Sequence, residues 1–579
     1  MIKRHAPLFA LAAAVILLAI PSAPTIAEAP ASSPPWIATG KSMMVATDHP
    51  EASRVGLEIL QKGGNAFDAA CAVSFALGVT RPQSTGMGGG GFLIARRADG
   101  RVDVFDFRER APLRASADMY EKFAREHPDK APPSRCGFLA SGVPGLVAGM
   151  YEVNESLGSM PMPSLIKPAI ELAEKGFAVD AHYVNATKTV SRFYEEFPAL
   201  KTSCGYVYRV HLRSGNLRQV GEQLVQPQLG AFLAMLAAEG KDGFYGGVVA
   251  EQIAKRMQKE GGIITKDDLK AYRVTRRKPL KSNYRGYEII TMPPPSSGGV
   301  CLIETLNMLE PLDLKALHKS DPALAIHHRI EAMKRAFADR AQWLADADFV
   351  EVPTDRLISK TYAQSLAKEI TDRATPASNA PKAQQIPNDD GTSHYCIVDQ
   401  WGNWVVATET INTSFGSLAA IDEFGLILND EMDDFSAMRG EANAFGLLQS
   451  DRNAVEPGKR PLSSMTPTLI VKDGQPILAL GASGGPKIIT SVLNVALNVL
   501  DYDMPLQEAI HATRIHHQWM PDRVVTDRDL EENTLNSLQK RGHTIADSHG
   551  TGIVQAIHWT QDGLVGASDP RKDGQPRGE

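Results

Sequence analysis

The chain has 579 residues, of which 43% are hydrophobic and 22% charged, and its formal net charge is −6. This length and apolar content are sufficient for a large buried core. The slightly acidic balance argues against a nucleic-acid partner. The 5 cysteines are odd in number and widely spaced without a Cys-x-x-Cys pair, which argues against a disulfide framework or a zinc site.

Residues 1–27 have the features of a secretory signal peptide. A basic start precedes an apolar run from Pro7 to Ile20, and small residues follow. The run is shorter than the roughly 20 residues that a membrane span needs, so we expect its removal, with cleavage after Ala27 or Ala23. An uncleaved membrane anchor is the alternative. Removal predicts a periplasmic or secreted protein without membrane contact.

Two helices are the first predicted elements after this segment. Helical apolar spacing covers Pro50–Lys62 and Ala66–Val79. Gly63-Gly64 is typical of a helix end, and Asn65 is typical of the residue that caps the next helix.

A glycine-rich stretch follows at 84–93. It lacks the Lys-Ser/Thr ending of a phosphate-binding loop and leads into a strand, so we interpret it as close backbone packing. A hairpin is predicted from 92–96 and 101–107 across Asp99-Gly100. Arg108 ends its second strand, where an arginine by itself indicates no more than a surface ion pair.

The pattern from Ser141 to about Ala374 is mostly helical, as at Leu165–Lys175 and His327–Asp346. Pro293–Gly299 interrupts it as a turn, and we assign this turn no catalytic role.

The character of the chain changes at Thr392. Thr375–Pro387 is rich in Ala, Pro, Asn and Gln without an apolar period, which predicts an exposed loop or linker. The pattern then predicts two strands joined in a hairpin, at Tyr395–Val398 and Trp404–Thr410. A loop therefore leads into a buried strand, with a threonine at the join.

This join suggests a specific chemistry. If the Gly391–Thr392 bond is cut, Thr392 gains an α-amine beside its own hydroxyl, and such an amine titrates at roughly 7.7–8.0, close to the pH that suits a general base. The small Gly391 would let the hydroxyl reach the preceding carbonyl. The alternative is a threonine that merely opens a strand.

Two later stretches carry polar groups that could form a site. Glu431, Asp433 and Asp434 form an acidic cluster, which by itself favours a solvated loop, because EF-hand spacing is absent. Gly485-Pro486 predicts the start of a helix that continues to Leu500, and backbone N–H groups at such a start suit a developing oxyanion. A tight turn without catalytic role is the alternative.

Four motifs in this order resemble the γ-glutamyltransferases, and the resemblance runs from about residue 38 to about 571. The motifs are Gly391–Tyr395, Thr408–Gly416, Leu428–Ser436 and Arg460–Met465. Members of that family are N-terminal-nucleophile (Ntn) enzymes that cleave themselves into two subunits.

The resemblance implies an α+β fold, a four-layer αββα sandwich of the Ntn hydrolase type. It implies cleavage between Gly391 and Thr392, which gives a large subunit at 28–391 and a small, catalytic subunit at 392–579 within one αββα unit. The uncleaved chain would then be a zymogen.

The resemblance also assigns roles to individual residues. Thr392 is the expected nucleophile, oriented by Thr410, and the expected oxyanion hole is formed by Gly484 and Gly485. The expected residues for the substrate are Arg108, Ser463 and Ser464 at its α-carboxylate, Glu431 and Asp434 at its α-ammonium group, and Asn412. Phe445 lies in the loop that covers the family's site, where several bacterial members carry tyrosine. This departure puts lid closure and acceptor choice in question.

The implied activity is transfer of the γ-glutamyl group from glutathione and related compounds, through an acyl-threonine intermediate, to water, amino acids or dipeptides. We expect no cofactor and no metal, because the adjacent His516-His517 point apart and lack a third ligand at suitable spacing. Two alternatives stay open: a glutaryl-cephalosporin acylase of the same fold, and a non-catalytic periplasmic protein that binds γ-glutamyl peptides.

Overall fold

The computed structural model describes residues 34–377, 391–547 and 550–579. The predicted signal peptide and most of the predicted loop before Gly391 lie outside the described residues. Within the described ranges, no helix combines the length and the apolar content needed to cross a membrane.

The strands are mostly short. In chain order they are β1 (Ile37–Gly40), β2 (Met44–Thr47), β3 (Gly90–Arg96), β4 (Val102–Asp106), β5 (Phe177–Ala178), β6 (Gln223–Leu224), β7 (Thr275–Arg277), β8 (Leu280–Tyr284), β9 (Tyr287–Thr291), β10 (Thr392–Val398), β11 (Trp404–Thr410), β12 (Ala420–Ile421), β13 (Leu426–Ile427), β14 (Thr468–Lys472), β15 (Gln475–Ser483), β16 (Ile515–His516), β17 (Val525–Thr526), β18 (Ile553–Thr560), β19 (Gly563–Ser568) and β20 (Arg577–Gly578).

The α-helices occupy most of the chain between β4 and β10. In chain order they are α1 (Pro50–Gln61), α2 (Ala66–Thr80), α3 (Met119–Glu126), α4 (Leu146–Leu157), α5 (Met162–Lys175), α6 (Ala181–Glu196), α7 (Leu200–Ser203), α8 (Gly205–Val210), α9 (Pro227–Tyr245), α10 (Val248–Glu260), α11 (Lys266–Ala271), α12 (Gly298–Leu309), α13 (Leu314–Ser320), α14 (Pro322–Trp343), α15 (Thr354–Leu357), α16 (Lys360–Ala367), α17 (Lys487–Leu500), α18 (Leu506–His511) and α19 (Glu532–Arg541).

Two antiparallel sheets form the centre of the described fold. One has the strand order β20-β2-β10-β11-β3-β4-β7, and the other has the order β1-β19-β18-β15-β14-β9-β8. The sheets face each other where β10 and β11 pack on β15, and α2 and α17 cover their outer faces. The four layers are therefore α, β, β and α, which confirms the predicted αββα sandwich.

Both faces of the central strands are buried, for a reason visible in β11. Successive side chains of a strand point to opposite faces, so Val405 joins the core between the first sheet and its helices, whereas Val406 joins the core between the two sheets. Neither residue is exposed. This placement holds β10 and β11, and the threonine at the start of β10, between two packed layers.

The predicted early elements are confirmed. Helices α1 and α2 end within one residue of the expected positions, and Asn65 caps α2 by accepting hydrogen bonds from the N–H groups of Phe67 and Asp68. The hairpins β3–β4 and β10–β11 also form as predicted. Local capping and turn residues determine these elements, so the sequence pattern was sufficient to find them.

The region from Ser141 to Ala374 is less uniformly helical than predicted. It contains β7, β8 and β9, and β9 pairs with β14, whose residues follow about 180 positions later in the chain. The two five-residue strands β8 and β9 carry too short an alternating pattern to be distinguished from their helical surroundings. Helix α14 also ends earlier than expected, at Trp343.

Candidate active site

Thr392 opens β10 and pairs directly with Thr410 at the end of β11. Directly opposed residues of antiparallel strands carry their side chains on the same face, with Cβ atoms about 5 Å apart. The two hydroxyl oxygens are 3.2 Å apart, and both side chains are buried. The register of one hairpin therefore brings the predicted nucleophile and its predicted partner together.

The Thr410 hydroxyl also touches the peptide bond that we expect to be cut. It donates a hydrogen bond to the carbonyl oxygen of Gly391 at 2.5 Å, and it accepts one from the backbone N–H of Asn412 at 2.8 Å. One side chain thus contacts both the hydroxyl of Thr392 and the carbonyl in front of it. This arrangement polarises the carbonyl that the hydroxyl would attack.

The position before Thr392 has room for glycine only. A Cβ atom built on Gly391 would lie 1.9 Å from the carbonyl oxygen of Asn412. No real Cβ tolerates such an approach to backbone, so a larger residue would displace the chain at this point.

A small buried cavity beside Thr392 gathers the predicted site residues. Its volume is about 20 Å³, which is room for about one water molecule. Gly484 and Gly391 are the only predicted site residues that are absent from its lining. The lining consists of Arg108, Thr392, Thr410, Asn412, Glu431, Asp434, Phe445, Ser463, Ser464, Met465, Gly485 and Ile488.

Arg108 occupies the centre of the charged side of this cavity. Its Nη2 is 2.6 Å from Asp434 Oδ2, its Nη1 contacts the carboxylate of Glu431, and Glu109 lies 3.8 Å away. Burial raises the pKa of Glu431 and of Asp434, while Arg108 opposes that rise. Burial likewise raises the pKa of Glu109 to about 8. Arg108 and the carboxyl groups of Glu431 and Asp434 thus line one cavity, where they could bind a carboxylate and a cation of one ligand.

The predicted serine pair is held in place by the Pro-rich turn. The N–H and hydroxyl of Ser297 donate to the carbonyl of Ser463 at 2.8 and 2.6 Å. Arg340 donates to the hydroxyls of Ser297 and Ser464, at 2.9 and 3.4 Å. The turn therefore supports the site, a role that the sequence did not indicate. Arg340 was missed as well, because it lies within the regular pattern of α14.

Gly484 and Gly485 follow β15 at the point where the second sheet approaches Thr392. Their φ angles are +136° and +53°, values that favour glycine. Among the described residues, neither N–H donates a hydrogen bond to a protein acceptor. Pro486 caps the helix and α17 begins at Lys487, one residue later than predicted. Free N–H groups at this helix start are the features that an oxyanion hole requires.

Phe445 covers the cavity from the side of Gly485. A Cβ atom on Gly485 would lie 2.6 Å from the Phe445 ring. The covering segment is held by a hydrogen bond from the N–H of Ala444 to Asp433 at 2.7 Å and by one from Gln518 to the Phe445 carbonyl at 3.1 Å. The predicted effect of Phe445 on lid closure and acceptor choice stays a prediction.

Asn412 borders the cavity, and its side chain is hydrogen-bonded to the backbone. Its amide nitrogen donates to the carbonyl of Asp430 at 3.0 Å. Asn412 has a φ of +79°, a left-handed conformation that non-glycine residues seldom adopt. The backbone here is bent so that the Asn412 N–H reaches Thr410.

A buried ion pair beneath Thr392 was not found from the sequence. Lys572 Nζ is 2.6 Å from Asp48 Oδ2 and 3.4 Å from the Thr392 carbonyl, to which it donates. Ser393 donates to the same carboxylate of Asp48 at 3.1 Å. Asp48 and Lys572 come from the two ends of the chain and belong to none of the four motifs, so only the fold reveals that they support the start of β10.

One group of residues has the proximity of a metal site, away from Thr392. The ligand atoms of His327, Glu331 and His543 lie within 4.8 Å of one another. However, His327 Nδ1 and His543 Nε2 are hydrogen-bonded at 2.7 Å, and Glu331 accepts from Arg335 at 2.7 Å. These contacts favour a structural role, and the absence of a metal stays a prediction.

Comparisons with known proteins agree with this geometry. The sequence model described as Gamma-glutamyltranspeptidase matches residues 52–578. The chain is 43% identical to the glutathione hydrolase proenzyme of Escherichia coli K12 over 92% of this chain and 90% of that protein. It is 38% identical to the acylase ACY 1 proenzyme of Pseudomonas sp. strain V22, over 93% and 94%. The crystal structure of a cephalosporin acylase from Bacillus halodurans superposes with a TM-score of 0.83 at 27% identity, covering 97% of this chain and 99% of that one.

The αββα sandwich, with a threonine at the start of a central strand, defines an Ntn hydrolase. Within that class, the match to the family model spans most of the chain. The chain belongs to the γ-glutamyltranspeptidase family.

Proposed function

We propose that this protein is a self-processing γ-glutamyltransferase and glutathione hydrolase with Thr392 as its nucleophile. The observation that carries the proposal is the single cavity in which Thr392 lies beside Arg108, Glu431 and Asp434. It combines a threonine that can form an acyl-enzyme with a charge pattern complementary to an α-amino acid.

Maturation begins with attack of the Thr392 hydroxyl on the Gly391 carbonyl. The new C–O bond forms as the peptide C–N bond breaks, and the hydroxyl proton passes to the nitrogen, which becomes the free α-amine of Thr392. Thr410 stabilises the charge that develops on the carbonyl oxygen. Water then hydrolyses the ester, which leaves a carboxylate on Gly391 and restores the hydroxyl.

The mature enzyme repeats this chemistry on its substrate. The α-amine accepts the hydroxyl proton while the oxygen attacks the γ-glutamyl carbonyl, and Gly484 and Gly485 donate to the oxyanion. The amide C–N bond breaks and the amine departs with the proton. Water or another amine then attacks the acyl-threonine, the ester C–O bond breaks, and the hydroxyl recovers its proton.

Substrate selection follows from an exchange of ionic partners. Arg108, with Ser463 and Ser464, binds the α-carboxylate of the glutamyl group, because a guanidinium matches a carboxylate bidentately. Glu431 and Asp434, which contact Arg108 in the uncleaved chain, bind the α-ammonium group. Asn412 borders the same cavity and completes the contacts. The substrate thereby replaces one buried set of ion pairs with another, and no charge is left unpaired.

The proposal includes export and division into two chains. A signal peptide at 1–27 directs the precursor to the periplasm or the medium, and cleavage after Gly391 gives subunits at 28–391 and 392–579. Strands β10 and β11 of the small subunit pair with β2 and β3 of the large one. Each subunit thus supplies strands to the same sheet, which would keep the two chains associated as a heterodimer.

The similarity to acylases makes a glutaryl-cephalosporin substrate the second candidate. A glutaryl group lacks the α-ammonium group that Glu431 and Asp434 would bind. We therefore expect glutathione to be turned over in preference to a glutaryl-cephalosporin, as measured by kcat/KM for each. The reverse preference would identify an acylase.

The third candidate is a non-catalytic protein that binds γ-glutamyl peptides, and one variant distinguishes it from the self-processing enzyme. Thr392→Ala is expected to give a single full-length band on a denaturing gel and no release of glutamate, whereas wild type gives two bands. Mass spectrometry of wild type should find Thr392 as an N-terminus. Normal splitting of Thr392→Ala would falsify the nucleophile assignment, and an uncleaved, inactive wild type would favour the binder.

A further inference from the structure

A second cavity lies next to the Gly391–Thr392 bond. Its volume is about 140 Å³, and its lining includes Gly391, Thr413, Ser414 and Phe445. The two cavities are neighbours, since Phe445 lines both and Gly391, which lines the second, is bonded to Thr392, which lines the first. The reacting carbonyl of a substrate at Thr392 would therefore lie close to both.

The second cavity combines apolar walls with a cation. Val190 and Phe193 of α6 and Leu418 form apolar surface, and Arg135 contributes a half-buried guanidinium. Within the described part of the chain, no carboxylate lies within 4 Å of the Arg135 guanidinium, the distance that defines an ion pair. A guanidinium that faces a cavity can bind a carboxylate bidentately.

Asp430 is an acid whose pKa responds to the charge of Arg135. Asp430 is buried, and burial raises the pKa of its carboxyl to about 8, although hydrogen bonds from the hydroxyl and N–H of Thr413 oppose the rise. At neutral pH Asp430 therefore cancels little of the charge on Arg135. Among the described residues that line the cavity, Arg135 is the only charged one, and it lies beside an apolar wall.

We propose that this cavity binds the part of the substrate beyond the γ-glutamyl bond, and that Arg135 binds its carboxylate. The ligands are amino acids and short peptides with a free carboxylate, first as the leaving group and then as the acceptor that replaces it. This inference rests on the proposed function. It assigns the larger cavity to the exchanged group and the smaller one to the glutamyl group.

The test uses two donors that differ by one carboxylate on the leaving group: γ-glutamyl-4-nitroanilide and γ-glutamyl-3-carboxy-4-nitroanilide. For these donors kcat/KM reports the acylation step, in which the leaving group is still bound. Arg135→Gln is expected to lower kcat/KM for the carboxylated donor about tenfold and to leave the neutral donor unchanged. Arg135→Lys should retain part of the preference. Arg125→Gln, which removes an exposed charge on α3, is the matched control and should change neither value.

Acceptors provide a second measurement with the same variants. With the neutral donor, wild type should transfer faster to glycylglycine than to glycylglycinamide, and Arg135→Gln should lose that difference. Equal losses on both donors, or an unchanged preference in Arg135→Gln, would overturn the assignment of Arg135. A wild-type protein that releases no nitroaniline from either donor would instead refute the proposed function, so the two failures are distinguishable.

Discussion

The Thr410 hydroxyl oxygen lies 2.5 Å from the carbonyl oxygen of Gly391, within the uncleaved chain. The same oxygen is 3.2 Å from the Thr392 hydroxyl. Thr410 therefore contacts both reacting groups of the bond that we expect to break, and its own position is fixed by the N–H of Asn412. The geometry for the first turnover is already present before the chain is cut.

Removing the Thr410 hydroxyl should slow maturation. Thr410→Val keeps the shape but deletes a hydrogen bond to the developing oxyanion, a loss of about 1–3 kcal/mol, or about 5–150-fold in rate. A time course on denaturing gels measures the cleavage rate. Thr410→Ser retains the hydroxyl and should cleave at a rate close to wild type. Wild-type cleavage by Thr410→Val would show that the 2.5 Å contact is not used.

Enlarging residue 391 should prevent cleavage without unfolding the rest of the chain. Gly391→Ala places a Cβ against the carbonyl of Asn412, so the Gly391 carbonyl must move away from Thr392 and Thr410. We expect an uncleaved band from protein whose far-UV circular dichroism matches wild type. Gly246→Ala, whose Cβ would meet nothing closer than 3.5 Å, is the control. Processing of Gly391→Ala at the wild-type rate would contradict the steric argument.

Arg108 should matter for substrate and not for maturation. Its side chain donates hydrogen bonds to Glu431, Asp434 and the carbonyl of Pro461, and none of these bonds involves Gly391 or Thr392. Arg108→Gln is therefore expected to yield two subunits as in wild type, while kcat/KM for glutathione falls about 100-fold through loss of the carboxylate contact.

A gel and a glutathione assay on the same preparation measure both effects of the Arg108 substitution. Arg114→Gln, which removes an exposed arginine a few residues later, should affect neither. Unchanged turnover by Arg108→Gln would remove this arginine from the substrate site.

Glu409 should make the stability of the fold depend on pH. It is buried beside Thr410, and burial raises the pKa of its carboxyl to about 7, although a hydrogen bond from Tyr395 lowers it. In the unfolded chain a glutamate titrates near about 4.3. The folded chain holds the proton of Glu409 more tightly than the unfolded chain does. The stabilisation that results is therefore complete below about pH 4.3, declines as pH rises, and is lost above about pH 7.

The variant Glu409→Gln should abolish that decline. The free energy of unfolding of the variant minus that of wild type should be larger at pH 8 than at pH 5, by an amount on the order of 3 kcal/mol at most. Urea unfolding at both pH values measures this difference, in a Thr392→Ala background so that a single chain unfolds and refolds. Parallel pH profiles for the two proteins would show that Glu409 does not titrate in this range.

Local signals were sufficient to predict much of this protein. Asn65 caps α2, a two-strand hairpin places Thr392 opposite Thr410, and Gly485-Pro486 precedes α17 to within one residue. Each of these depends on neighbours in the chain, so each leaves a pattern in the sequence. The short strands β8 and β9 were missed because five residues carry too short an alternating pattern, and because β9 also pairs with the distant strand β14.

The sequence by itself determined that a threonine begins a buried strand after a glycine, and that arginine, acidic and serine motifs accompany it in a fixed order. Only the tertiary structure decided that Arg108 lies against Glu431 and Asp434, that Arg340 supports the serine pair, and that Lys572 lies beneath Thr392. The reason is physical. Strand alternation and helix capping depend on a few neighbouring residues, whereas a buried charge pairs with a segment distant in the sequence that the packing of the two sheets brings within ion-pair distance.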